Sequence, residues 1–346
     1  MGLLNTKMRK HVVVIGAGPA GLETSASLSK LGFHVTLVEK EEVTGGHLKK
    51  WHALFPSLLS GKNALENINK GLNGNIKIQT ATKVTGLEAV NDYFTITGHN
   101  GWQEKADAVV LTTGFQLFDS HRKEEYGYGI YENVITSADL EELFASGKEF
   151  VNRQGNKPER VGFVHCVGSR DEKVNNLHCS KVCCITAVKQ AIEVKQLLPD
   201  AEVFCFYMDL RMFGRHYEEL YKEAQEKYNI QFIRGRLSES TEDKEGNIVV
   251  KVEDTLLGKP LRIKVGLLVL MAGMEPRPNT KKLTNMLGLK NVSDGFIQPL
   301  DEVLRTNNTE IPGVFVAGTC SGPKSVSDTL ADARSAALAV ADYLKL

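Results

Sequence analysis

The chain has 346 residues, 42% of them apolar and 24% charged, and its 42 basic residues equal its 42 acidic ones in number. This composition is typical of a soluble globular protein of about two domains, and it gives no reason to expect a nucleic acid or another polyanion as a partner. The longest apolar runs, such as residues 267–272, are too short to cross a bilayer, so we expect no membrane span.

The first predicted elements are a strand, a tight turn, a helix and a second strand over residues 11–40. The turn carries the pattern Gly16-x-Gly18-x-x-Gly21, in which the first glycine permits the turn, the second lets the backbone approach a diphosphate, and the third lets the helix pack closely on the strand. Glu39 ends the second strand, where a carboxylate can accept hydrogen bonds from a ribose. The segment therefore predicts a dinucleotide-binding Rossmann unit.

Glycines recur further along the chain at positions that could complete the same site. Gly45 and Gly46 follow Glu39, and two β-rich runs, 108–115 and 311–320, contain Thr-Gly and Gly-Thr. This combination resembles the flavoproteins with two dinucleotide-binding domains, the thioredoxin reductase and glutathione reductase superfamily, and so implies FAD. That superfamily usually has Gly-Asp in the C-terminal motif, whereas this chain has Gly-Thr. The residues predicted to contact FAD are Gly16, Gly18, Pro19, Ala20, Gly21, Glu39, Lys40, Gly45, Gly46, His47, Val84, Thr113, Gly114, Gly318 and Thr319.

A second strand–helix–strand pattern follows a polar, linker-like stretch at 151–159. Its strands are predicted at 161–165 and 203–209, with a helix at 180–198 between them. The turn after the first of these strands has lost most of the glycines that a second dinucleotide would need, and four cysteines stand there instead. Asp209 keeps the position of a ribose-binding acid, so a residual nicotinamide site stays open as an alternative.

The order of these elements predicts an α/β fold in which one domain interrupts the other. We expect a discontinuous FAD-binding domain over residues 1–155 and 264–346, split by an inserted Rossmann-like domain at 156–263 that carries the cysteines. A buried strand at 263–273 would return the chain to the FAD domain, and an alanine-rich helix near the C-terminus would pack on that domain.

The four clustered cysteines follow the spacing Cys166-x12-Cys179-x3-Cys183-Cys184. Cys179 and Cys183 are four positions apart, so on a helix they would lie on one face. A redox disulfide is disfavoured because no Cys-x-x-Cys is present, and structural zinc usually takes two such pairs. An iron–sulfur cluster tolerates this spacing better, and the polar surroundings disfavour simply buried thiols. Six cysteines without a secretory signal also indicate a reducing, cytoplasmic compartment.

The stretches CVGSRD, HCSKVCC, FYMDLRMFG and AGTCSGPKSVSDTLADA resemble the A-type subunit of heterodisulfide reductase, and the resemblance runs along nearly the whole chain. It implies a flavoprotein of thioredoxin-reductase-like fold with a [4Fe–4S] cluster whose ligands would be Cys166, Cys179, Cys183 and Cys184. It also implies that Lys189 approaches the isoalloxazine and stabilises the reduced flavin; the alternative is a solvated helix residue. Cys320 could be redox-active, but a small residue filling a turn is the favoured interpretation.

The ferredoxin-type cysteine runs of the methanogen proteins are absent from this sequence, which resembles the short form found in bacterial sulfur-oxidising complexes. The resemblance thus implies an electron-transfer oxidoreductase subunit containing FAD and one [4Fe–4S] cluster, with other iron–sulfur subunits as partners and a homodimer as its own assembly. Two alternatives stay open: an NAD(P)H-dependent disulfide oxidoreductase of the thioredoxin reductase type, and the equivalent subunit of a quinone-interacting complex.

Overall fold

The computed structural model describes residues 10–72, 74, 76–289 and 294–345, and among these residues it contains twenty strands and seven α-helices. The strands are β1 (His11–Ile15), β2 (His34–Val38), β3 (Ala53–Leu54), β4 (Leu59–Ser60), β5 (Ile76–Gln79), β6 (Val84–Val90), β7 (Tyr93–Gly98), β8 (Gln103–Ala106), β9 (Ala108–Leu111), β10 (Phe115–Leu117), β11 (Val134–Thr136), β12 (Arg160–Val167), β13 (Glu202–Tyr207), β14 (Gln231–Arg234), β15 (Leu237–Glu242), β16 (Ile248–Asp254), β17 (Lys259–Val265), β18 (Leu267–Ala272), β19 (Met274–Pro276) and β20 (Val314–Val316). The helices are α1 (Pro19–Lys30), α2 (Gly61–Asn69), α3 (Ser137–Ala145), α4 (Cys183–Leu197), α5 (Tyr217–Glu226), α6 (Pro278–Leu287) and α7 (Val326–Tyr343).

The described residues divide into two units. The first unit takes the chain up to Lys49, then Lys62–Gln116, and then the chain from Glu275 onwards. The second unit takes Lys50–Gly61 and Leu117–Met274. This division differs from the predicted one, which placed the inserted domain at 156–263.

The first unit is built on a five-stranded parallel sheet in the order β20-β9-β1-β2-β5. Strands β1 and β9 lie inside this sheet, and nearly all their residues are buried, as expected where helices cover both faces. Helix α1 begins directly after Gly18 with Pro19 in its first turn, and α7 packs against α1. A separate antiparallel sheet, β6-β7-β8, completes this unit.

The second unit repeats the plan with a parallel sheet in the order β11-β18-β12-β13-β14 and an antiparallel sheet β15-β16-β17. Strand β18 is buried throughout and pairs with both β11 and β12. The predicted boundary at 264 fails for this reason, because β18 belongs to the second sheet and not to the first. The predicted boundary at 156 fails because β11, well before it in sequence, is a strand of the same second sheet.

Strand β12 marks a change of direction in this second sheet. From β12 the chain passes through α4 to β13 on one side, whereas β18 lies on the other side of β12. The carboxyl end of such a strand is the usual ligand site of an open parallel sheet. Among the residues that the structure describes, no helix combines the length and the hydropathy that a bilayer crossing requires.

Candidate functional site

The glycine turn after β1 has close contacts at two of its three glycines. Gly16 has a φ of +109°, and a Cβ on Gly21 would lie 1.8 Å from the carbonyl oxygen of Gly16. A Cβ on Gly18, in contrast, would meet nothing nearer than the Cα of Gly46, at 4.0 Å. The protein itself therefore requires Gly16 and Gly21, whereas the space in front of Gly18 is open beside the N-terminus of α1. This open cradle at a helix N-terminus fits the diphosphate of FAD.

Glu39 is held rigidly at the end of β2. Its carboxylate accepts the backbone N–H of Ala17 at 2.7 Å and that of Glu41 at 3.0 Å, and the residue is buried. Each carboxylate oxygen keeps a lone pair, so a ribose can still bind.

Two other residues predicted to contact FAD, Lys40 and Val84, follow Glu39 in the sequence. Lys40 points outward to pair with the exposed Glu41 at 3.1 Å. Val84 is the half-buried first residue of β6.

The second glycine pair lies against the first turn. The N–H of Gly45 donates to the carbonyl of Ala17 at 2.7 Å, and a Cβ on Gly46 would lie 3.0 Å from the Cα of Gly18. The next residue, His47, stacks on Phe115 with 4.5 Å between the ring centroids. The structure thus brings the two predicted glycine motifs together, with His47 beside them.

The Thr-Gly and Gly-Thr motifs also meet, because β9 and β20 are neighbours in the first sheet. A Cβ on Gly114 would lie 3.8 Å from the hydroxyl of Thr319, and the N–H of Gly318 donates to Asp332 on α7 at 2.7 Å. The hydroxyl of Thr113 bonds that of Thr280 at 2.7 Å. Sequence reasoning did not identify Thr280 or Asp332, since both lie far from the motifs they touch.

Cys320 follows β20 and is completely buried. Its Sγ lies 3.1 Å from the carbonyl oxygen of Leu111, and burial raises the pKa of the thiol to about 11. These features are those of a small, unreactive residue that fills space, which was the favoured interpretation of this cysteine.

Three of the four clustered cysteines are buried at the carboxyl end of β12. Cys166, in the left-handed backbone conformation with a φ of +58°, places its Sγ 3.9 Å from that of Cys183. Cys184 follows at the start of α4, and Cys179 is half-buried.

The prediction that Cys179 and Cys183 share a helical face is wrong, because α4 begins only at Cys183. Lys181 has a φ of +64°, which a right-handed helix cannot include. The hydroxyl of the buried Ser180 meets that of Ser169 and accepts the N–H of Met274 at 2.8 Å. These bonds hold residues 179–182 in a loop, so Cys166 and Cys179 both come from outside the helix.

Hydrogen bonds among the thiols and with His165 shift their pKa values in different directions. The hydrogen bond from Cys183 lowers the pKa of both Cys166 and Cys184, whereas the same bonds raise the pKa of Cys183 itself. Burial alone would lower the pKa of His165, but the sulfurs of Cys184 and Cys205 raise it overall, to about 10. Within the part of the chain that the structure describes, neither ring nitrogen of His165 has a hydrogen-bond partner of normal geometry.

Among the described residues, no three His, Cys, Asp or Glu side chains form a group that could hold a metal ion. The donor set is nevertheless all sulfur, and Cys179 already accepts the backbone N–H of Lys181 at 3.3 Å. A [4Fe–4S] cluster takes one thiolate at each of four separate corners, and hydrogen bonds to its sulfurs tune its potential. The chemistry of these four residues therefore fits such a cluster. Cys205, in β13, is completely buried and is not one of these four cysteines.

Asp209, at the ribose-binding position of the second unit, is engaged by arginines. Its carboxylate accepts a hydrogen bond from Arg170 at 2.6 Å and lies 3.8 Å from Arg234. The bond to Arg170 holds the pKa of Asp209 below its ordinary value. This carboxylate therefore serves to position Arg170, which follows the cysteine turn.

Lys189 on α4 is 1% exposed, so the interpretation as a solvated helix residue is wrong. Its ammonium forms ion pairs with Glu141 and, at 2.9 Å, with Glu193. Glu141 also accepts a hydrogen bond from Gln190 at 2.7 Å, and Glu193 bonds the half-exposed His52 at 2.8 Å. An approach of Lys189 to the isoalloxazine stays a prediction. Glu193 lies four residues after Lys189 on the same helix, a spacing visible in the sequence, whereas Glu141 is distant along the chain and the sequence offered no signal for it.

Comparison with known families gives a match over most of the chain. The model of the pyridine nucleotide-disulphide oxidoreductase family matches residues 10–149 and 185–337. Thioredoxin reductases from Lactococcus lactis and T. acidophilum share the fold, with TM-scores of 0.67 and 0.65, 19% identity in each case, and coverage of 98% and 97% of this chain and 100% of theirs. The predicted two-Rossmann-domain flavoprotein fold is thereby confirmed.

Two curated relatives are similar to this chain over nearly its whole length. The A-type iron-sulfur subunit of CoB–CoM heterodisulfide reductase from Methanocaldococcus jannaschii is 34% identical over 419 aligned positions, covering 96% of this chain. The A-type subunit of the H2/formate:CoB-CoM heterodisulfide,ferredoxin reductase from Methanococcus maripaludis is also 34% identical over 96% of this chain. The chain spans 64% of the length of each of these relatives. The resemblance to the A-type subunit of heterodisulfide reductase is confirmed, and, on the family match and the shared fold, the chain belongs to the pyridine nucleotide-disulphide oxidoreductase family as a flavin-dependent oxidoreductase.

Proposed function

We propose that this chain is the FAD- and [4Fe–4S]-containing electron-transfer subunit of a heterodisulfide-reductase-like complex that works in sulfur oxidation. The observation that carries the proposal is the position of the cysteines. Cys166, Cys183 and Cys184 lie together at the carboxyl end of β12, where the order of the second sheet reverses. A second dinucleotide would place its phosphates at this point in a two-Rossmann-domain enzyme.

The family comparison also supports the view that cysteines replace a second dinucleotide site. The matched residues stop at 149 and resume at 185, so the unmatched segment contains all four clustered cysteines. In this segment the chain departs from the family model.

The residues that would hold FAD are the glycine turn after β1, Glu39, the Gly45–Gly46 pair and the Thr-Gly motifs. The cluster would take Cys166, Cys179, Cys183 and Cys184, with N–H groups such as that of Lys181 donating to sulfur. When bound, the flavin supplies two-electron chemistry and the cluster single-electron chemistry. The contribution of the chain is to bury three of the four thiols together at the carboxyl end of β12.

The partners would be iron–sulfur subunits of the same complex. The two relatives named above are called subunits, and one of them is called an iron-sulfur subunit. Their alignment runs over more positions than this chain has residues, so each relative carries segments within the matched span that this chain lacks. We propose that separate proteins perform the work of those segments and that two copies of this chain associate.

The proposal is tested on the chain purified without oxygen. We expect about four iron atoms per FAD, together with broad visible absorption that bleaches on reduction by dithionite, as four-thiolate ligation of one cluster requires. Cys184→Ala should lose the iron and keep the FAD. The matched control is Cys205→Ala, which removes a buried cysteine outside the group and should keep both.

The rival function, an NAD(P)H-dependent disulfide oxidoreductase, makes the opposite predictions. NADPH or NADH would bleach the flavin rapidly, and Cys166→Ala and Cys184→Ala would abolish reduction of a disulfide substrate without any change in metal content. Iron-free protein with this behaviour, or stoichiometric zinc, would refute the cluster.

A further inference from the structure

Arg277, which no motif singled out, lies in the flavin unit between two prolines, in the sequence Pro276-Arg277-Pro278. It is the N-terminal cap of α6, with an extended backbone at φ −71° and ψ 141°, and the proline that follows restricts it to that conformation. The backbone of Arg277 is therefore restricted to this conformation before any ligand binds.

The guanidinium of Arg277 lacks adequate acceptors in the protein. Its Nε is buried without a partner, and within the described residues its single hydrogen-bond contact is Nη2 to Nε2 of His47, at 3.3 Å. That same Nε2 lies 3.0 Å from the carbonyl oxygen of Phe115. A ring nitrogen that donates its proton to this carbonyl cannot also accept one from Arg277.

The charge of Arg277 is similarly uncompensated at contact distance. Burial lowers the pKa of Arg277, and the carboxylates of Glu39 and Glu41 partly offset this effect. Neither carboxylate forms an ion pair with it, since Glu39 accepts from the backbone and Glu41 pairs with Lys40. A half-buried guanidinium without an anion or enough acceptors is costly, and it becomes favourable once an anion binds.

The surroundings of Arg277 identify the anion. Its contact residue, His47, directly follows Gly46, whose Cβ position is 3.0 Å from the Cα of Gly18. Gly18 is the residue at which the backbone approaches the diphosphate, and Glu39 takes the ribose. We propose that Arg277 is a further FAD-binding residue of this chain, whose guanidinium donates hydrogen bonds to the diphosphate. This inference rests on the FAD site of the proposed function but not on the iron–sulfur cluster.

The test is the affinity of the full-length, deflavinated protein for FAD, measured from the change in flavin fluorescence. Arg277→Met should weaken binding by about tenfold to a hundredfold, the usual effect of removing a charge-assisted hydrogen bond. Arg277→Lys should lose less, because it keeps the charge without the planar fork. Lys282→Met removes an exposed cation from the same helix and should leave the affinity unchanged.

A second measurement tests whether Arg277 contacts the diphosphate or another part of FAD. ADP and adenosine are used as competitors of FAD on wild-type, Arg277→Met and Arg277→Gln proteins that show the same thermal unfolding without ligand. The substitutions should weaken competition by ADP and leave competition by adenosine unaltered.

Two outcomes overturn the inference while the proposed function stands. One is an Arg277→Met protein that binds FAD as tightly as wild type. The other is an equal loss for ADP and adenosine, which would mean that the side chain shapes the pocket and does not bind the diphosphate. Wild-type protein that binds no FAD would refute the FAD site itself, and the inference with it.

Discussion

Lys189, Glu141 and Glu193 form a buried ionic group in which one cation faces two carboxylates. All three side chains are less than 8% exposed, and they come from α3 and α4. Such a group contributes little net stability over an apolar replacement, yet it is costly to break, because a single deletion leaves an uncompensated buried charge. Gln190 and His52 supply further hydrogen bonds but no second fixed positive charge.

Replacement of this lysine should therefore act mainly on folding. We expect Lys189→Met to reduce the free energy of unfolding by about 3–5 kcal/mol, as breaking a buried pair does. Urea unfolding followed by circular dichroism measures the effect. The matched control is Lys222→Met on α5, where the pair with Glu226 is 3.8 Å long and about two thirds exposed, so the loss should stay below about 0.5 kcal/mol.

A double variant distinguishes the loss of charge balance from the loss of packing. Lys189→Met combined with Glu141→Gln removes one negative charge together with the positive one and should recover part of the stability. If Lys189→Met unfolds at the wild-type urea concentration, the three side chains do not form the group described.

At the scale of elements, the turn between β1 and α1 separates what the fold needs from what the ligand needs. Gly21 has no room for a Cβ, since the carbonyl oxygen of Gly16 would lie 1.8 Å from it. Gly18 has room for one within the protein and an ordinary φ of −75°. The same substitution at these two positions should therefore have opposite consequences.

We expect Gly18→Ala to fold with a change in stability of no more than about 0.5 kcal/mol. Its affinity for FAD should nevertheless fall by about tenfold or more, because the added methyl group occupies the space where the backbone meets the diphosphate. Gly21→Ala should instead cost about 1–3 kcal/mol or more in stability, because α1 must move away from the turn. Chemical unfolding and FAD titration measure the two effects. Normal FAD binding by Gly18→Ala would contradict the position of the diphosphate.

The same elements indicate which parts of the structure a sequence can predict. The turn and α1 were predicted because their signals are local: three glycines, a proline at the first helical position, and an acid after the next strand. The start of α4 was wrong because bonds to Ser169 and Met274, distant in sequence, keep Ser180 in a loop. Propensity over 180–184 carries no information about those partners.

Strand β18 illustrates a second limit. A fully apolar run such as Leu267–Ala272 predicts a strand buried on both faces, but it does not say which of two parallel sheets contains the strand. The domain boundary depended on that choice. The pair of Lys189 with Glu141 and the contact of Arg277 with His47 were equally inaccessible, because a charged residue in a sequence gives no sign of a distant carboxylate or ring that it will meet. Glu193 differs, since it lies at the i+4 position of the same helix.

At the scale of the whole molecule, the two parallel sheets share one plan in which a central strand precedes the functional turn. β1 lies between β9 and β2, and β12 lies between β18 and β13. Both strands are buried over nearly their whole length and have neighbours on both sides, whereas β5 and β14 each have one neighbour in their sheets. Stability within a fold is uneven, and such central strands open only in the largest unfolding events.

Hydrogen exchange should therefore give the same ranking in both units. We expect the backbone amides of β1 and β12 to exchange with deuterium more slowly than those of β5 and β14, because opening an edge strand disrupts one ladder of hydrogen bonds and opening a central strand disrupts two.

Added FAD should slow exchange further at Gly16–Gly21 and Gly45–Gly46, where amides would face the diphosphate, and leave β14 unchanged. Peptide-level mass spectrometry with and without FAD makes both comparisons in one experiment. Faster exchange in β12 than in β14 would contradict the strand order of the second sheet, and an FAD effect confined to β14 would contradict the flavin site.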